Sequence, residues 1–142
     1  MRESLIKELQ TISEEEQKYL KGDANVKRDI YTFKHSFEID KQLFLKEGRL
    51  ITLRPHSRFV EFPEHSHNYI EIMYVCKGSI THHIAGTKIV MKKGDILLLN
   101  QQVKHSVKKA EYDDVGINLI ALPEFFDIPL RMLQGDNVLA HF

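Results

Sequence analysis

The sequence predicts a mainly β protein, an antiparallel sandwich or barrel with an N-terminal α-helical segment and a short C-terminal helix or turn. Two observations support this fold class. Beyond about residue 30, apolar residues alternate with polar ones or form short runs, and turn signals recur about every ten residues. No helical pattern lies between these short strands, which argues against a parallel sheet with crossover helices.

The first predicted element is a helix over residues 4–22. Apolar residues from Leu5 onward recur at helical spacing. Ser13 with Glu16 three residues later matches a capping box, which predicts a break or a new helix start near Ser13. Gly22 is a suitable stop signal. The run of glutamates that follows Ser13 is interpreted as a solvated face.

The predicted strands are short and are bounded by glycine, proline or charged residues. They cover residues 37–39, 50–53, 58–62, 69–77, 79–85, 89–91, 96–99, 104–108 and 115–122. Lys77-Gly78 and Ala85-Gly86 are interpreted as tight turns between strands that pair with each other. After Pro123, residues 124–127 are interpreted as a short helix or turn.

The strand over residues 69–77 is apolar on both of its faces. Met73 and Val75 lie on one face, and Ile72 and Tyr74 lie on the other. An antiparallel strand that faces water on one side alternates more cleanly with polar residues. Its outer face is therefore expected to be covered, either by the N-terminal helix or by a second copy of the chain.

Composition narrows the possible functions. Twenty basic and twenty acidic residues cancel, and this charge balance argues against binding to a phosphate backbone. The apolar runs are too short for a membrane span, and the N-terminus lacks the apolar core of a signal peptide. The single cysteine, Cys76, excludes an internal disulfide and fits a cytoplasmic location. The length suits one domain.

Two segments carry polar side chains on apolar faces. In extended backbone His65, His67 and Glu71 point the same way, and His105 lies on the apolar face of a second segment. Neutral imidazoles and a carboxylate suit a divalent ion such as Zn, Ni, Fe or Mn. The predicted metal ligands are therefore His65, His67, Glu71 and His105, with one or two coordination positions left for water or a small molecule.

Other interpretations of these residues stay open. A lone histidine on an apolar face is usually a hydrogen-bonded core residue, and the same side chains could hydrogen-bond a polar effector without a metal. At most one of His82 and His83 can face the site, because neighbours on a strand point to opposite faces. The histidines interpreted as solvated are His35, His56 and His141. The residues expected to line the core or the ligand pocket are Tyr69, Met73, Val75, Met91, Leu97 and Leu99.

The spacing of these residues resembles the two conserved motifs of the cupin superfamily. The first motif is carried by His65-x-His67 with Glu71 and Gly78, and the second is carried by Gly94 with His105 eleven residues later. This resemblance implies a small antiparallel jelly-roll barrel in which the two motifs supply the metal ligands. The chain departs from the motifs at four positions: Phe59, Asn100, Gln102 and Lys109.

A narrower resemblance is to the N-terminal domains of AraC-type transcription regulators. Residues 65–78, 93–100 and 122–127 carry it. It implies a cupin domain that binds a small-molecule effector and forms a homodimer, while DNA is bound only by a separate C-terminal domain. The expected domains are an N-terminal helical segment over 1–29, a cupin-like barrel over 30–127, and a C-terminal extension over 128–142 that leads to a DNA-binding domain absent from this chain.

The expected function is therefore effector sensing and dimerisation, with a divalent metal as a possible cofactor, no membrane contact and no enzymatic activity. The alternative is a stand-alone metal-dependent cupin enzyme of the oxygenase or isomerase type. Such an enzyme would use the same four ligands and would need a further acid, base or nucleophile. None stands at motif spacing in this sequence.

Overall fold

The structure, a computed structural model, describes residues 2–23, 25–26 and 38–127. These residues form two α-helices and nine β-strands. The elements are α1 Glu3–Leu9, α2 Glu14–Leu20, β1 Glu38–Ile39, β2 Ile51–Pro55, β3 Phe62–His67, β4 Ile70–Lys77, β5 Ser79–Ile84, β6 Thr87–Lys92, β7 Ile96–Leu99, β8 His105–Val107 and β9 Val115–Ala121. The predictions for His35, for His141 and for 128–142 lie outside the described residues.

The strands form two sheets that enclose the hydrophobic core. One sheet has the order β1-β3-β8-β5-β6 and the other has the order β2-β9-β4-β7. Every pairing is antiparallel except that of β1 with β3. The chain changes sheet at every connection except the one between β5 and β6, so the two sheets are interwoven. The prediction of a mainly β, antiparallel jelly-roll architecture is confirmed, and Pro123–Phe126 forms the short C-terminal 3₁₀ helix.

One predicted hairpin is wrong and another is right. Strands β4 and β5 do not pair across Lys77-Gly78, because β4 pairs with β7 and β9 while β5 pairs with β6 and β8. Gly78 has a φ of 69° and carries the chain from one sheet to the other. The turn at Ala85-Gly86 does join a hairpin, β5 to β6. Both of its residues have positive φ, 48° and 78°, as a type I′ turn requires.

The predicted strand over residues 58–62 is also wrong. Strand β3 begins only at Phe62 and continues through Pro63, where its pairing with β8 shifts register. The preceding residues 56–60 are buried without forming a strand. The N–H of Arg58 donates to a Glu16 carboxylate oxygen and the N–H of Phe59 donates to the Ala110 carbonyl, so these groups are satisfied outside a sheet.

The N-terminal helices form as predicted, with a break at Ser13. Its hydroxyl accepts a hydrogen bond from the Glu16 N–H, and its own N–H donates to the Glu16 carboxylate, which completes a capping box. The expectation that the glutamates form a solvated face fails for Glu16, which is only 4% exposed. It is buried because it also binds Arg58 of the barrel.

Arg58 joins the helices to the barrel through a buried network that we call the Arg58 clamp. Its side chain is 2% exposed, and Nε lies 2.7 Å from Glu16 Oε2. The guanidinium also donates to the carbonyl oxygens of Gln10, at 3.0 Å, and Tyr112, at 2.8 Å. A charged group buried this deeply is stable only when its hydrogen bonds are satisfied. The clamp therefore ties α1 and α2 to two separate loops of the barrel.

The outer face of the β2-β9-β4-β7 sheet is apolar. The strand register aligns Leu53, Leu119, Ile72 and Leu98 in one row across the four strands. Leu53 and Leu98, at its ends, are 67% and 59% exposed. Helix α1 lies at one end of this sheet, where it shares a groove with Cys76 of β4 and another with Pro55 of β2. Among the described residues, the rest of this face stays open to solvent.

Neither of the two described α-helices is long and apolar enough to cross a membrane.

Candidate metal and ligand site

Three of the four predicted ligands converge inside the barrel. Strands β3 and β8 carry His67 and His105 in one sheet, and β4 carries Glu71 in the other. The Nε2 atoms of His67 and His105 lie 3.5 Å and 4.0 Å from Oε2 of Glu71. All three side chains are buried, and their candidate ligand atoms lie within 4.8 Å of one another.

This spacing suits a divalent first-row metal ion. Bonds of about 2.0–2.2 Å place neighbouring ligand atoms of a tetrahedral site roughly 3.3–3.6 Å apart. The Nε2 atoms of His67 and His105 are buried and have no hydrogen-bond partner. Unpartnered buried polar atoms are uncommon, and a water molecule, a ligand or an ion in contact with them explains such atoms. His67, Glu71 and His105 can therefore hold a metal ion, and the donor set fits it.

Hydrogen bonds on the opposite ring nitrogens decide where the lone pairs point. Nδ1 of His67 lies 3.0 Å from the carbonyl oxygen of Tyr69, and Nδ1 of His65 lies 2.8 Å from that of Pro63. A carbonyl oxygen only accepts, so Nδ1 carries the proton in both rings. In the neutral imidazole the lone pair is then on Nε2, which is how an outer hydrogen bond prepares a histidine for a metal.

His105 is oriented by a two-step chain through His82. Nε2 of His82 lies 3.2 Å from the sulfur of Met73, and Nδ1 of His82 lies 3.3 Å from Nδ1 of His105. The thioether sulfur only accepts, so His82 donates from Nε2 and accepts at Nδ1. The donor in the second bond must then be Nδ1 of His105. Its Nε2 lone pair is consequently left for Glu71 or an ion beside it.

The protonation states also suit metal binding. Burial lowers the pKa of His105 to about 3 and that of His82 to about 4, so both rings are neutral near pH 7. Burial alone would raise the pKa of Glu71, but the adjoining His67 imidazole lowers it, and the resulting pKa is about 2. Metal ligands must be deprotonated, and an ionised carboxylate with neutral imidazoles meets that condition.

His65 lies beside this cluster and not within it. It is paired in register with His105 across β3 and β8, and the two rings lie 4.3 Å apart between centroids. Burial lowers its pKa below the ordinary value. The three-residue cluster does not include it. A role for His65 as the fourth ligand stays a prediction.

A small cavity adjoins the cluster. About 40 Å³ of it is accessible to the centre of a water molecule, which is room for more than one water. Polar lining residues include Glu71, His65, His105, Arg54, His56 and Asn118. Of the predicted pocket residues, Tyr69 and Met73 line this cavity. The others lie in the core, with Val75, Met91 and Leu99 buried and Leu97 half-buried.

Sequence reasoning missed two histidines. His56, interpreted as solvated, is 6% exposed, and burial lowers its pKa to about 4. The irregular buried segment that encloses it has no local sequence signal. For His82 the sequence allows a surface or a core-filling position, and the structure places it fully buried. Its alternation with Ile80, which is also buried, was the signal that could have placed it inside.

Replacing His82 by Phe is expected to weaken the binding of a divalent ion by about 10–100-fold, because His105 loses the partner that fixes its tautomer. Isothermal titration of tag-free protein with Zn²⁺ measures the change. His83→Phe is the matched control, since His83 is a half-buried neighbour on the opposite face of β5. Equal zinc affinity in His82→Phe and the wild type would contradict the orienting chain.

Comparison with known proteins assigns the chain to a family. The profile of the AraC-like ligand binding domain matches residues 47–126, more than half of the chain. No curated protein sequence matches the chain. The family implies a small-molecule effector, which agrees with a barrel that encloses a cavity beside polar side chains.

Several solved structures are similar at low identity. KdgF from Halomonas sp. is 21% identical over 51% of this chain and 69% of that chain, with a TM-score of 0.45. For the Clostridium difficile EutQ protein the identity is 20% over 51% of this chain and 55% of that one, with a TM-score of 0.42. An RmlC-like cupin from Shewanella frigidimarina is 17% identical over 54% and 71%, with a TM-score of 0.44. The sequence resemblance is confirmed by the family profile: this chain belongs to the AraC-like ligand binding domain family.

Proposed function

We propose that the chain is the effector-sensing domain of an AraC-type transcription regulator, and that a divalent ion held by His67, Glu71 and His105 takes part in effector binding. One observation carries the metal role: two buried Nε2 atoms without hydrogen-bond partners face an ionised carboxylate at the wall of a cavity. The family match supports the sensing role. DNA contact would then belong to a further domain, in a cytoplasmic protein.

Each residue of this site has its own role. His67 and His105 present lone pairs that the Tyr69 carbonyl and the His82 chain orient. Glu71 supplies the negative charge from the opposite sheet. A bound ion would supply a positive charge and open coordination positions for an effector oxygen. Because the ligands come from both sheets, a bound ion would link the two sheets of the barrel.

A metal-dependent cupin enzyme of the oxygenase or isomerase type is the alternative. It would need an acid, base or nucleophile beside the metal. Glu71 is the only carboxylate among the described residues that line the cavity. The Ser57 hydroxyl donates to Glu15, at 3.2 Å, and His56, with a pKa of about 4, is a weak base. These features favour binding over catalysis.

The coding sequence downstream of Phe142 tests the proposed function directly. A reading frame that continues into two helix-turn-helix patterns would support the regulator, because such a pair is the DNA-binding half that the family resemblance implies. A stop codon immediately after Phe142 would contradict the regulator and leave the cupin enzyme as the better reading of the same site.

We also propose that a second copy of the chain covers the open outer face of the β2-β9-β4-β7 sheet. The row from Leu53 to Leu98 contains no charged side chain, so two copies of it would meet without like-charge repulsion. Exposed contiguous apolar surface of this kind marks interaction sites. Burial of aliphatic side chains would contribute most of the association free energy.

Under this proposal the chain sediments as a dimer at micromolar concentration, and Leu98→Lys shifts it to monomer by placing a charge in the contact. Analytical ultracentrifugation measures both. The control is Val90→Lys, since Val90 is 45% exposed and lies on β6 of the other sheet. A wild-type chain that sediments as a monomer would contradict the dimer.

A further inference from the structure

Two polar atoms in the cavity wall have no role in the metal cluster. Nε2 of His56 and Oδ1 of Asn118 are buried and have no hydrogen-bond partner in the described structure. Both residues line the cavity that also reaches Glu71 and His105. Buried polar groups are almost always paired, so two unpaired atoms on one cavity wall indicate that a ligand completes them.

The strand register shows how far Asn118 and His56 lie from the metal cluster. Glu71 on β4 is paired with Ile120 on β9, and Asn118 is the next residue on the same face of β9. Such diagonal neighbours have Cα atoms about 7–8 Å apart. His56 comes one step further, because its N–H donates to the carbonyl of Gly116. A ligand of a few carbon atoms is therefore long enough to touch both the cluster and Asn118.

The charges in the cavity select the end of the ligand that faces the cluster. Two neutral imidazoles and one carboxylate around a divalent ion leave a net positive charge. Arg54 adds a guanidinium to the same wall, although it is shared with Glu15 at 3.1 Å. Glu71 is the only carboxylate among the described lining residues, and the ion would neutralise it. The cluster end of the cavity therefore favours a ligand carboxylate.

The two unpaired atoms determine which chemical group the ligand carries at its other end. Oδ1 of Asn118 only accepts, so it needs a donor from the ligand. His56 is neutral and can donate or accept at Nε2 according to its tautomer. A hydroxyl group donates one hydrogen bond, to Oδ1 of Asn118, and also accepts, so it satisfies both atoms when His56 carries its proton on Nε2. An ammonium group only donates, and the net positive charge beside it would repel it.

We propose that Asn118 and His56 form a subsite for the hydroxyl group of a small hydroxycarboxylate, whose carboxylate binds at the His67, Glu71 and His105 cluster. The part played by the cluster rests on the proposed function. The hydroxyl subsite rests on the buried unpaired atoms and on the strand register, and it makes the cavity selective for hydroxylated ligands.

The test compares ligand pairs that differ by one hydroxyl group. Lactate is titrated against propionate and malate against succinate, by calorimetry on zinc-loaded wild-type protein. At least one hydroxylated member is expected to bind about tenfold tighter than its partner, the factor that one net hydrogen bond contributes. Asn118→Leu should remove that preference, and His56→Leu should reduce it.

The thermal stability of the ligand-free protein separates binding from structure. Asn118→Leu replaces a side chain with an unpaired buried amide oxygen by an apolar group of similar size, so the stability is expected to stay equal or rise. A residue with a structural role would lose stability instead. Asn100→Leu is the matched control, because Asn100 is exposed and its side chain accepts only from the adjacent Gln101 N–H. It should leave both preference and stability unchanged.

Three outcomes would overturn the subsite: neither lactate nor malate binds, both members of each pair bind equally, or Asn118→Leu keeps the preference. Repeating the titrations without metal separates this result from the proposed function. A hydroxyl preference in a protein that binds no zinc would contradict the metal role and support the subsite. Zinc binding without a hydroxyl preference would support the metal role and contradict the subsite.

Discussion

Glu71→Gln is expected to remove most of the affinity of the chain for divalent ions while leaving the metal-free fold intact. Glutamine keeps the shape of the side chain but removes the only negative charge of the cluster. The loss should exceed the 10–100-fold that is typical of an outer hydrogen-bond partner, because Glu71 would contact the ion itself. Titration with Zn²⁺, Ni²⁺ and Mn²⁺ measures the affinities.

Thermal unfolding gives an independent readout of the same substitution. An ion present at one hundred times its dissociation constant stabilises the wild type by about 2.7 kcal/mol, and Glu71→Gln should lose that gain. Without metal the variant should lose a smaller amount of stability, because the lowered pKa of Glu71 shows that the neighbouring imidazoles already stabilise its ionised form. Glu64→Gln, an exposed change of the same kind on β3, serves as the control. A wild type that gains no stability from any of these ions would rule the site out.

Arg58→Met is expected to destabilise the protein by about 3–5 kcal/mol, the range for breaking a buried ion pair by removing one partner. The substitution removes the guanidinium that donates to the Glu16 carboxylate and to the carbonyls of Gln10 and Tyr112, so the buried carboxylate loses its counter-charge. Chemical denaturation followed by circular dichroism measures the free energy of unfolding. Lys77→Met is the matched control, since Lys77 pairs with Asp113 on the surface and such pairs are worth about 0–1 kcal/mol.

A double-mutant cycle and a pH series identify the clamp as the cause. Glu16→Gln with Arg58→Met should cost less than the sum of the single changes, because no buried charge is left unpaired. Burial raises the pKa of Glu16, but the hydrogen bonds from Arg58 outweigh it and lower the pKa overall. A lowered carboxyl pKa stabilises the fold above about pH 4.5, and that contribution is lost as pH falls further. Additive single changes would contradict the clamp.

The features predicted well from sequence are those whose cause is local. The capping box at Ser13 uses residues three apart, so the break between α1 and α2 could be read directly. The β5–β6 hairpin follows from the turn signal of Gly86, which accepts a positive φ without strain. Motif spacing likewise brought His67, Glu71 and His105 into one group, and the structure places their ligand atoms together.

The failures concern contacts between distant segments. Gly78 looks like a hairpin turn, but whether β4 pairs with β5 depends on β9, which lies about forty residues further along the chain. Residues 58–62 alternate like a strand, but Arg58 is drawn out of the sheet by Glu16, forty-two residues earlier. The N–H of His56 likewise donates to a distant group, the carbonyl of Gly116. Periodicity reports which face a side chain prefers and not which partner will meet that face.

His65 and His67 belong to one sheet and Glu71 to the other, although alternation predicted a single face for all three. All three side chains still face the interior, because residues 68–69 carry the chain from one sheet to the other without turning the side chains outward. A site built from both sheets depends on their separation. The sequence motif contains no measure of that separation, so it predicts the ligands and not their distances.

The Arg58 clamp also bears on where this domain begins as a unit of folding. The family profile starts at residue 47, whereas Gln10 and Glu16, which satisfy the clamp, precede it. A chain shortened to the profile would keep the buried cation and lose its counter-charge. The smallest autonomous piece must therefore start ahead of α2, and grafting residues 47–126 alone into another protein would transfer the ligand site without the support on which its scaffold depends.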